Sequence, residues 1–582
     1  MPEKSQSFGP RLAALVRQIY PDLDTDHMAN RIVQAFWPGD PHRRKRSRMR
    51  GNGLWSERDA LLITYGNSVQ DGVHKPLDLL HDFLLRRLHG AVNSVHILPF
   101  FPYTSDDGFA VSDFRAVNPQ LGDWPDIRRI SHDFNLMSDL VLNHVSSQSN
   151  WFTDYLQNKP PYDRFFFEAT PEDDLSLVVR PRTTPLLRQV ETSSGPRHVW
   201  CTFSHDQVDM DFRNPDVLLE FLRIIRLHVD NGVQIIRLDA VAFLWKVIGT
   251  PSIHLPQTHA IIQLMRFLCD YATEKIILLT ETNVPKAENL SYFGGGREAH
   301  AIYNFPLPPL ILHAMMSGNA QHLRAWQRAM PPAPMGCAYL NFTASHDGIG
   351  MRPAEGLLPE DEKQQMIETV KAGGGLVSMR ALPDGGESVY ELNITFYDAL
   401  AQTFKGADAL HHERFICSQT IVMSLEGIPA FYIHAMLATP NDHEAVEFRG
   451  MNRAINRHRW HYPALNALLD DPESPQARVM ADLRHRLEIR GRQSAFHPNA
   501  TQFTMYFEDT RLFGLWRQSI DRHQSIFALH NVSDGDVTVP MAALNLIEGE
   551  PWIDLISGLV IDPEGDEITV SPYQCLWITN RA

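Results

Sequence analysis

Cysteine is nearly absent from this chain. Its 582 residues include five, Cys201, Cys269, Cys337, Cys417 and Cys575. They are scattered, odd in number and form no CxxC pair, which excludes a disulfide framework and a zinc knuckle. No apolar run approaches the roughly 18 residues of a membrane span, so an integral membrane protein is excluded as well. Positive charge is in deficit: 53 Lys and Arg face 69 Asp and Glu, a net charge of −16, the opposite of a nucleic-acid-binding footprint. The one basic run, Arg43, Arg44, Lys45, Arg46, Arg48 and Arg50, reads as a solvated linker. The opening MPEKSQSFGPRLAALVRQIY lacks the charged, apolar and small-residue succession of an export signal, so a cytoplasmic location is expected. Also missing are GxGxxG, the GxxxxGK-S/T phosphate loop, HExxH and GxSxG, and with them the motifs of nucleotide folds, zinc proteases and serine hydrolases.

What is present is a globular composition, 43% apolar and 21% charged, which excludes wholesale disorder. Residues 9–36 carry helical spacing (Leu12, Leu15, Val16, Ile19), and the Pro/Gly-rich stretch 38–53 follows, predicting an N-terminal helical extension and linker over 1–55. From about residue 56, short apolar runs recur: ALLITYG (60–66), VHILPF (95–100), LVLNHV (140–145), VQIIRLDA (233–240), KIILLTET (275–282), AIYNF (301–305), AYLNFTASHD (338–347) and GIPAFYI (427–433). Amphipathic segments such as PLDLLHDFLLRRLHG (76–90) and THAIIQLMRFLCDYAT (258–273) lie between them. Buried strands alternating with helices predict a parallel sheet, and eight of them predict an α/β fold of the (β/α)8 TIM-barrel type over 56–490. The alternative, an open doubly wound sheet, calls for a glycine-rich nucleotide turn that is absent. Two interruptions stand out. Residues 146–205, after the third strand, are too long for a connection and read as an inserted subdomain. Residues 350–415, after the seventh, contain two glycine clusters and read as a loop-rich, mobile insertion. Past 495 the helical pattern gives way to TQFTMYFED, LFGLWRQ, SIFALHNVSD and DVTVPM, predicting a C-terminal antiparallel β-domain over 495–582.

Barrel active sites form at the C-terminal ends of the strands. The third run ends in Asp139, Asn143 and His144, the fourth in Arg237 and Asp239, the fifth in Glu281, the seventh in His346 and Asp347. A carboxylate there costs several kcal/mol of desolvation unless paired, so several on consecutive strand ends indicate chemistry. With no thiol motif and no metal-ligand spacing, glycosyl transfer fits: one carboxylate as nucleophile or base, and one carboxylic acid to protonate the leaving oxygen. Arg237 shares a strand face with Asp239 and is expected to hold it ionised. Glu281, in an apolar run, is expected to have a raised pKa suited to acid/base work. The nearby aromatics Phe100, Phe101, Tyr103, Phe109, Phe243, Tyr292 and Phe293 suit a sugar face.

The set DLVLNH (139–144), IIRLDAVAF (235–243), LLTETN (278–283) and FTASHD (342–347) resembles the four signature regions of the α-amylase family (glycoside hydrolase family 13). The blocks LPFFPYTSDDGFAVSDF (98–114), TFSHDQVDMDF (202–212), SHDGIG (345–350) and YELNITFYDAL (390–400) are similar to those of its sucrose phosphorylase subfamily. The resemblance implies a covalent glucosyl-enzyme on Asp239, Glu281 as general acid/base and Asp347 as transition-state stabiliser. It further implies a donor glucose subsite of Asp106, Phe109, His144, Arg237 and His346, inorganic phosphate as co-substrate, no cofactor and no metal, including no calcium beside Asn143. The partners implied are a small glucoside and phosphate, and the chain is expected to be a monomer or homodimer. Sucrose phosphorylases typically carry Tyr at the position of Phe243, His at that of Asn283 and Gln at that of Glu391, all on the phosphate and acceptor side. ETNVPKAENLSYFGGG (281–296) and the N-terminal extension look more like the glucosylglycerate phosphorylase branch. A glycerate acceptor is an anion and calls for a cationic or amide clamp, for which Arg180, Arg182, Arg188 and Asn283 are candidates. The alternatives are a sucrose phosphorylase, a related hydrolase or transglucosidase, and an inactive sugar-binding barrel.

Overall fold

Eight strands close into a parallel barrel: β1 (Leu61–Thr64), β2 (Ser94–Ile97), β3 (Asn135–Val141), β4 (Val233–Asp239), β5 (Ile277–Thr280), β6 (Ala301–Tyr303), β7 (Ala338–Asn341) and β8 (Ile428–Tyr432). Each pairs with the next and β8 returns to β1, Leu61 opposite Ala430. The computed structural model describes residues 8–39, 51–182, 184–381, 386–544, 546, 552–563 and 565–581. The basic run from Arg43 to Arg50 lies outside the described residues. Every expected barrel run contains a strand. Its apolar continuity arises because barrel strands face side-chain layers inside and helices outside; β1, β5 and β8 are buried at every position. The longest pairing in the barrel, β3 on β4, sets Asp139 opposite Arg237 and Val141 opposite Asp239. That register brings the site's first charges together.

The N-terminal helices α1 (Phe8–Ile19) and α2 (Thr25–Phe36) dock on the outside of the barrel. Leu12, Leu15, Val16 and Ile19 form the buried stripe of α1, and Phe8 stacks on Phe267 of the helix Pro256–Asp270 at 5.1 Å. Asp24 caps α2 through His27 N, and Arg31 pairs with Asp216 of the helix Pro215–Asp230.

After β3 the chain leaves the barrel. His144–Ser146 pairs with Gln207–Asp209, and the hairpin Leu187–Thr192/Gly195–Trp200 stands over a small apolar cluster of Phe167, Ala169, Leu186 and Trp200. The insertion after β7 differs from expectation. It contains the helix Glu360–Ala372 and an antiparallel sheet of Ile349–Gly350, Glu387–Asn393 and Leu376–Ala381, so it carries regular secondary structure rather than being loop-rich. Its first glycine cluster serves packing: a Cβ on Gly375 would stand 2.5 Å from Val370 Cγ1, so the chain can turn out of the helix there only as glycine. Of the second cluster, Gly385 and Gly386, the first glycine lies outside the described residues.

The C-terminal sheet runs in the order Thr501–Thr504, Leu512–Gln518, Ser525–Asn531, Cys575–Thr579, Trp552–Asp554, Val560–Ile561. Trp577 from this sheet donates to Ser424 Oγ at 2.9 Å, and Arg517 to Ser424 O at 2.9 Å. Both fix the β-domain to the barrel helix His411–Ser424. No helix among the described residues is long and apolar enough to cross a membrane.

Candidate active site

At the C-terminal ends of β2, β3 and β4, His96, Asp139 and Arg237 form a buried chain. His96 Nε2 lies 2.7 Å from Asp139 Oδ2, and Arg237 Nη1 donates to Asp139 Oδ1 at 2.5 Å and to Asp239 Oδ1 at 2.6 Å. Burial opposes charge on Asp139, but His96 and Arg237 overcome it and hold its pKa below the ordinary carboxylate range. The guanidinium lies near the Phe109 and Tyr303 rings, 5.7 and 5.6 Å from their centroids. Arg237 therefore serves two carboxylates, and this changes the expectation for Asp239. Burial is the largest influence on Asp239 and raises it, Arg237 opposes, and the charges of Glu281 and Asp139 raise it again, leaving it pushed up to about 8. Arg237 alone does not hold Asp239 ionised.

Glu281 follows β5 and is pushed up by burial, with Arg237 opposing and Asp347 reinforcing, as its apolar run implied. Its Oε2 accepts from Ala240 N at 3.2 Å. Ala240 sits at φ +49, a left-handed conformation that is strained for a residue with a Cβ. The kink directly after Asp239 aims an amide at the second carboxylate. Asp239 and Glu281 are both buried, and the charge of Glu281 raises Asp239, so the two acids titrate as a pair.

Asp347 lies in a second charged group. Arg453 Nη1 stands 2.5 Å from its Oδ1 and Arg457 Nη2 3.9 Å. Burial works against ionisation there, but Arg453 and Arg457 outweigh it and keep Asp347 well below the carboxylate range. Arg453 also grips Glu391 with Nε to Oε1 at 2.8 Å and Nη2 to Oε2 at 2.9 Å. Burial is again opposed by this cation, which holds Glu391 low. His346 stacks on Phe109 at 4.9 Å with 7° between the planes, and burial pushes it down to about 3, so it is neutral. Burial lowers His144 too; its Nε2 lies 3.1 Å from Phe109 O and 3.2 Å from Gln207 Nε2. Gln207 also donates to Asp106 Oδ2 at 3.2 Å, tying the first insertion to the site.

These groups open on one pocket of about 1210 Å³ counting its mouth, lined by Asp106, Phe109, His144, Arg182, Arg237, Asp239, Phe243, Glu281, Asn283, His346 and Asp347. Glu391 does not line it but stands behind Arg453, which does. Of the clamp candidates, Arg182 and Asn283 reach the pocket. Arg180 turns to Thr184 O, and Arg188 to His205 O at 2.6 Å, both outside the lining. Phe100, Phe101, Tyr292 and Phe293 are core residues and Tyr103 faces elsewhere; only Phe109 and Phe243 of the aromatic candidates meet the pocket. Arg352, Arg453, Gln207 and Tyr390 line it without having been singled out in the sequence. A cluster of arginines, RGMNRAINRHR (449–459) in an acidic chain, was the available signal for Arg453. Beside Asn143, the ammonium of Lys246 lies 3.0 Å from Asn143 Oδ1, 2.9 Å from Phe243 O and 3.0 Å from Asp209 Oδ2. Those oxygens are already satisfied by a buried cation of the chain itself.

The α-amylase catalytic-domain family matches residues 70–347. A glucosylglycerate phosphorylase of Spirochaeta thermophila is 43% identical over 529 residues, 90% of this chain and 90% of that protein. One from Escherichia coli is 39% identical over 526 residues, 90% of this chain and 92% of that protein. The crystal structure of sucrose 6F-phosphate phosphorylase from Thermoanaerobacter thermosaccharolyticum aligns with a TM-score of 0.71 at 24% identity, covering 88% of this chain and 98% of that one, and shares the fold. By motif, identity and barrel alike, the chain belongs to the α-amylase family of glycoside-active enzymes, alongside these glucosylglycerate phosphorylases.

Proposed function

We propose that this protein is a retaining α-glucoside phosphorylase, reversibly converting 2-O-α-glucosylglycerate and inorganic phosphate to α-glucose 1-phosphate and glycerate. One arrangement carries the reading. Asp239, Glu281 and Asp347 open into a single pocket that Arg182 and Arg352 also line, and neither arginine has a carboxylate within ion-pair distance among the described residues. The carboxylates supply glycosyl chemistry. The unpaired guanidiniums attract phosphate and an anionic acceptor into a protein whose net charge is −16. The names of its relatives support the same substrate.

In the first step Asp239 attacks the anomeric carbon. A carboxylate ester forms, the bond to the glycerate oxygen breaks, and Glu281 delivers its proton to that oxygen. In the second, a phosphate oxygen attacks the same carbon, the ester breaks to free Asp239, and the proton released by phosphate returns to Glu281. Two inversions give net retention. The chemistry needs one proton on the Asp239/Glu281 pair. The two acids share that proton, and the Arg237 contact with Asp239 at 2.6 Å favours the arrangement with the charge on Asp239 and the proton on Glu281. Asp347, kept anionic by Arg453, accepts hydrogen bonds from the sugar hydroxyls, and Asp106, His144 and the Phe109–His346 stack complete the donor side. Phe243 and Asn283 face the acceptor. Phosphate is the co-substrate and no cofactor is invoked. The five cysteines are buried free thiols, in keeping with a reducing cytoplasm, where we place the reaction.

The test is a substrate panel. Purified protein is given glucosylglycerate, sucrose or glucosylglycerol, each with and without phosphate, and glucose 1-phosphate and glucose are assayed. Glucose 1-phosphate forming from glucosylglycerate only when phosphate is present is the expected result. Free glucose released at the same rate without phosphate, or turnover of sucrose alone, overturns the reading.

A further inference from the structure

We propose that Arg352 is the residue that reads the acceptor: it binds the carboxylate of glycerate, and the Asn283 side chain beside it takes the acceptor's free hydroxyl. This rests on the phosphorylase reading above and assigns one end of its substrate.

The departing oxygen takes its proton from Glu281, so the acceptor must lie next to that residue. Asn283 is two residues on and lines the pocket, and its Oδ1 is buried without a partner among the described residues. A buried amide oxygen left unpaired is costly unless a ligand supplies a donor. Gly350 packs directly on Asn283: a Cβ there would stand 3.1 Å from Asn283 Nδ2. Arg352 follows two residues later, on the turn Arg352–Ala354, whose entry is fixed by Met351 N donating to Tyr390 O at 2.9 Å. The backbone under Arg352 is therefore anchored to the strand Glu387–Asn393 while its side chain lines the pocket half-buried.

Two unpaired arginines line this pocket, and their surroundings separate them. Arg182 stands over the Tyr390 ring at 5.6 Å, and its charge acts on buried Glu391, so it is already partly balanced. Arg352 acts on His254, which burial pushes down to about 4 and which is therefore neutral near pH 7. A half-buried guanidinium with no carboxylate within ion-pair distance among the described residues is the stronger lure for a carboxylate, and its planar fork matches a carboxylate in two parallel hydrogen bonds. Glucosylglycerol, the same glucoside with a hydroxymethyl group in place of the carboxylate, lacks the charge and gains nothing from Arg352.

The experiment compares the full-length wild type with Arg352→Gln and Arg352→Lys, each checked for a wild-type unfolding temperature, on glucosylglycerate and on glucosylglycerol. In Arg352→Gln the ratio of kcat/KM for glucosylglycerate over that for glucosylglycerol is expected to fall about thirtyfold, chiefly through KM, as loss of one charge-assisted pair implies. Arg352→Lys is expected to recover part of the ratio. Equal losses on the two glucosides, or a KM for phosphate that rises as much as that for glucosylglycerate, overturn the assignment. A wild type idle on glucosylglycerate overturns the phosphorylase reading and this proposal together; an active wild type with an unchanged ratio in the variant overturns this proposal alone.

Discussion

Arg453 and Arg352 line the same pocket. Arg453 holds Glu391 through two nitrogens and Asp347 through a third, whereas Arg352 has no carboxylate partner among the described residues. On the donor side His96, Asp139, Arg237, Gln207 and Asp106 each have a partner within hydrogen-bond distance. Asn283 Oδ1 on the acceptor side is buried without one, as are Nδ1 of His96 and His346 and Nε of Arg237 on the donor side, so the contrast lies in the charges. Paired charges set the shape of a subsite before any sugar arrives, which is what stabilising a transition state requires. Unpaired charges leave affinity for the ligand that completes them. On the proposed function, the paired half suits one sugar held in one pose, and the open half the exchange of one anion for another.

The hardest blow to the paired half is Asp239→Ala. Removing the proposed nucleophile is expected to lower glucose 1-phosphate formation by about 10⁴-fold or more, with the fold retained. A rate within tenfold of wild type ends the double-displacement scheme. Next is Arg453→Met, which strands Asp347 and Glu391 together without their cation. Breaking such a buried network is expected to cost about 3 kcal/mol of unfolding free energy, read by urea denaturation, with phosphorolysis lost as well. A variant as stable as the wild type would mean that the pairing is not what keeps the donor side in place.

A smaller effect tests the shared proton. The pair is active with one proton, so kcat/KM is expected to fall on the alkaline side as that last proton leaves, at a pH well above the ordinary carboxylate range because burial raises both acids. Asp139 contributes a negative charge that raises that value and occupies half of Arg237. Asp139→Asn removes the charge and releases the guanidinium to Asp239, both of which favour ionisation. The alkaline limb is therefore expected to move to lower pH by about one unit. A limb that stays in place, or moves up, shows that Asp139 does not reach the pair.

The two halves were unequally legible in the sequence. The barrel strands could be read because each is a continuous apolar run, and the donor carboxylates because they end those runs: Asp239 belongs to β4, and Glu281 follows β5 directly. Nothing local marks Arg352, and the arginine cluster around Arg453 does not say which of its members meets the carboxylates. The first lies on a turn inside an insertion whose strands, LVSMRA and ESVYELN, show their nature only when paired with each other. The second arrives from a segment with four arginines, at 449, 453, 457 and 459, whose partners Asp347 and Glu391 lie far back in the chain. Arg237 lies on β4 beside Asp239 as its spacing predicts, but the sharing of its charge with Asp139 depends on the β3/β4 register, which no local pattern shows.

The smallest expected effect marks the edge of the acceptor half. Arg188 belongs to the same insertion as Arg182 but lies on the ribbon Leu187–Thr192, where Nη1 donates to His205 O at 2.6 Å, and it does not line the pocket. A guanidinium satisfied by a backbone carbonyl outside the site adds little to ligand binding beyond its long-range field, which physiological salt screens beyond about 8 Å. Arg188→Ala is therefore expected to change KM for phosphate and for glucosylglycerate by less than about twofold at that ionic strength. If either KM rises tenfold, the basic ribbon is part of the anion's path into the pocket, and the division between a paired donor half and an open acceptor half must be redrawn to include it.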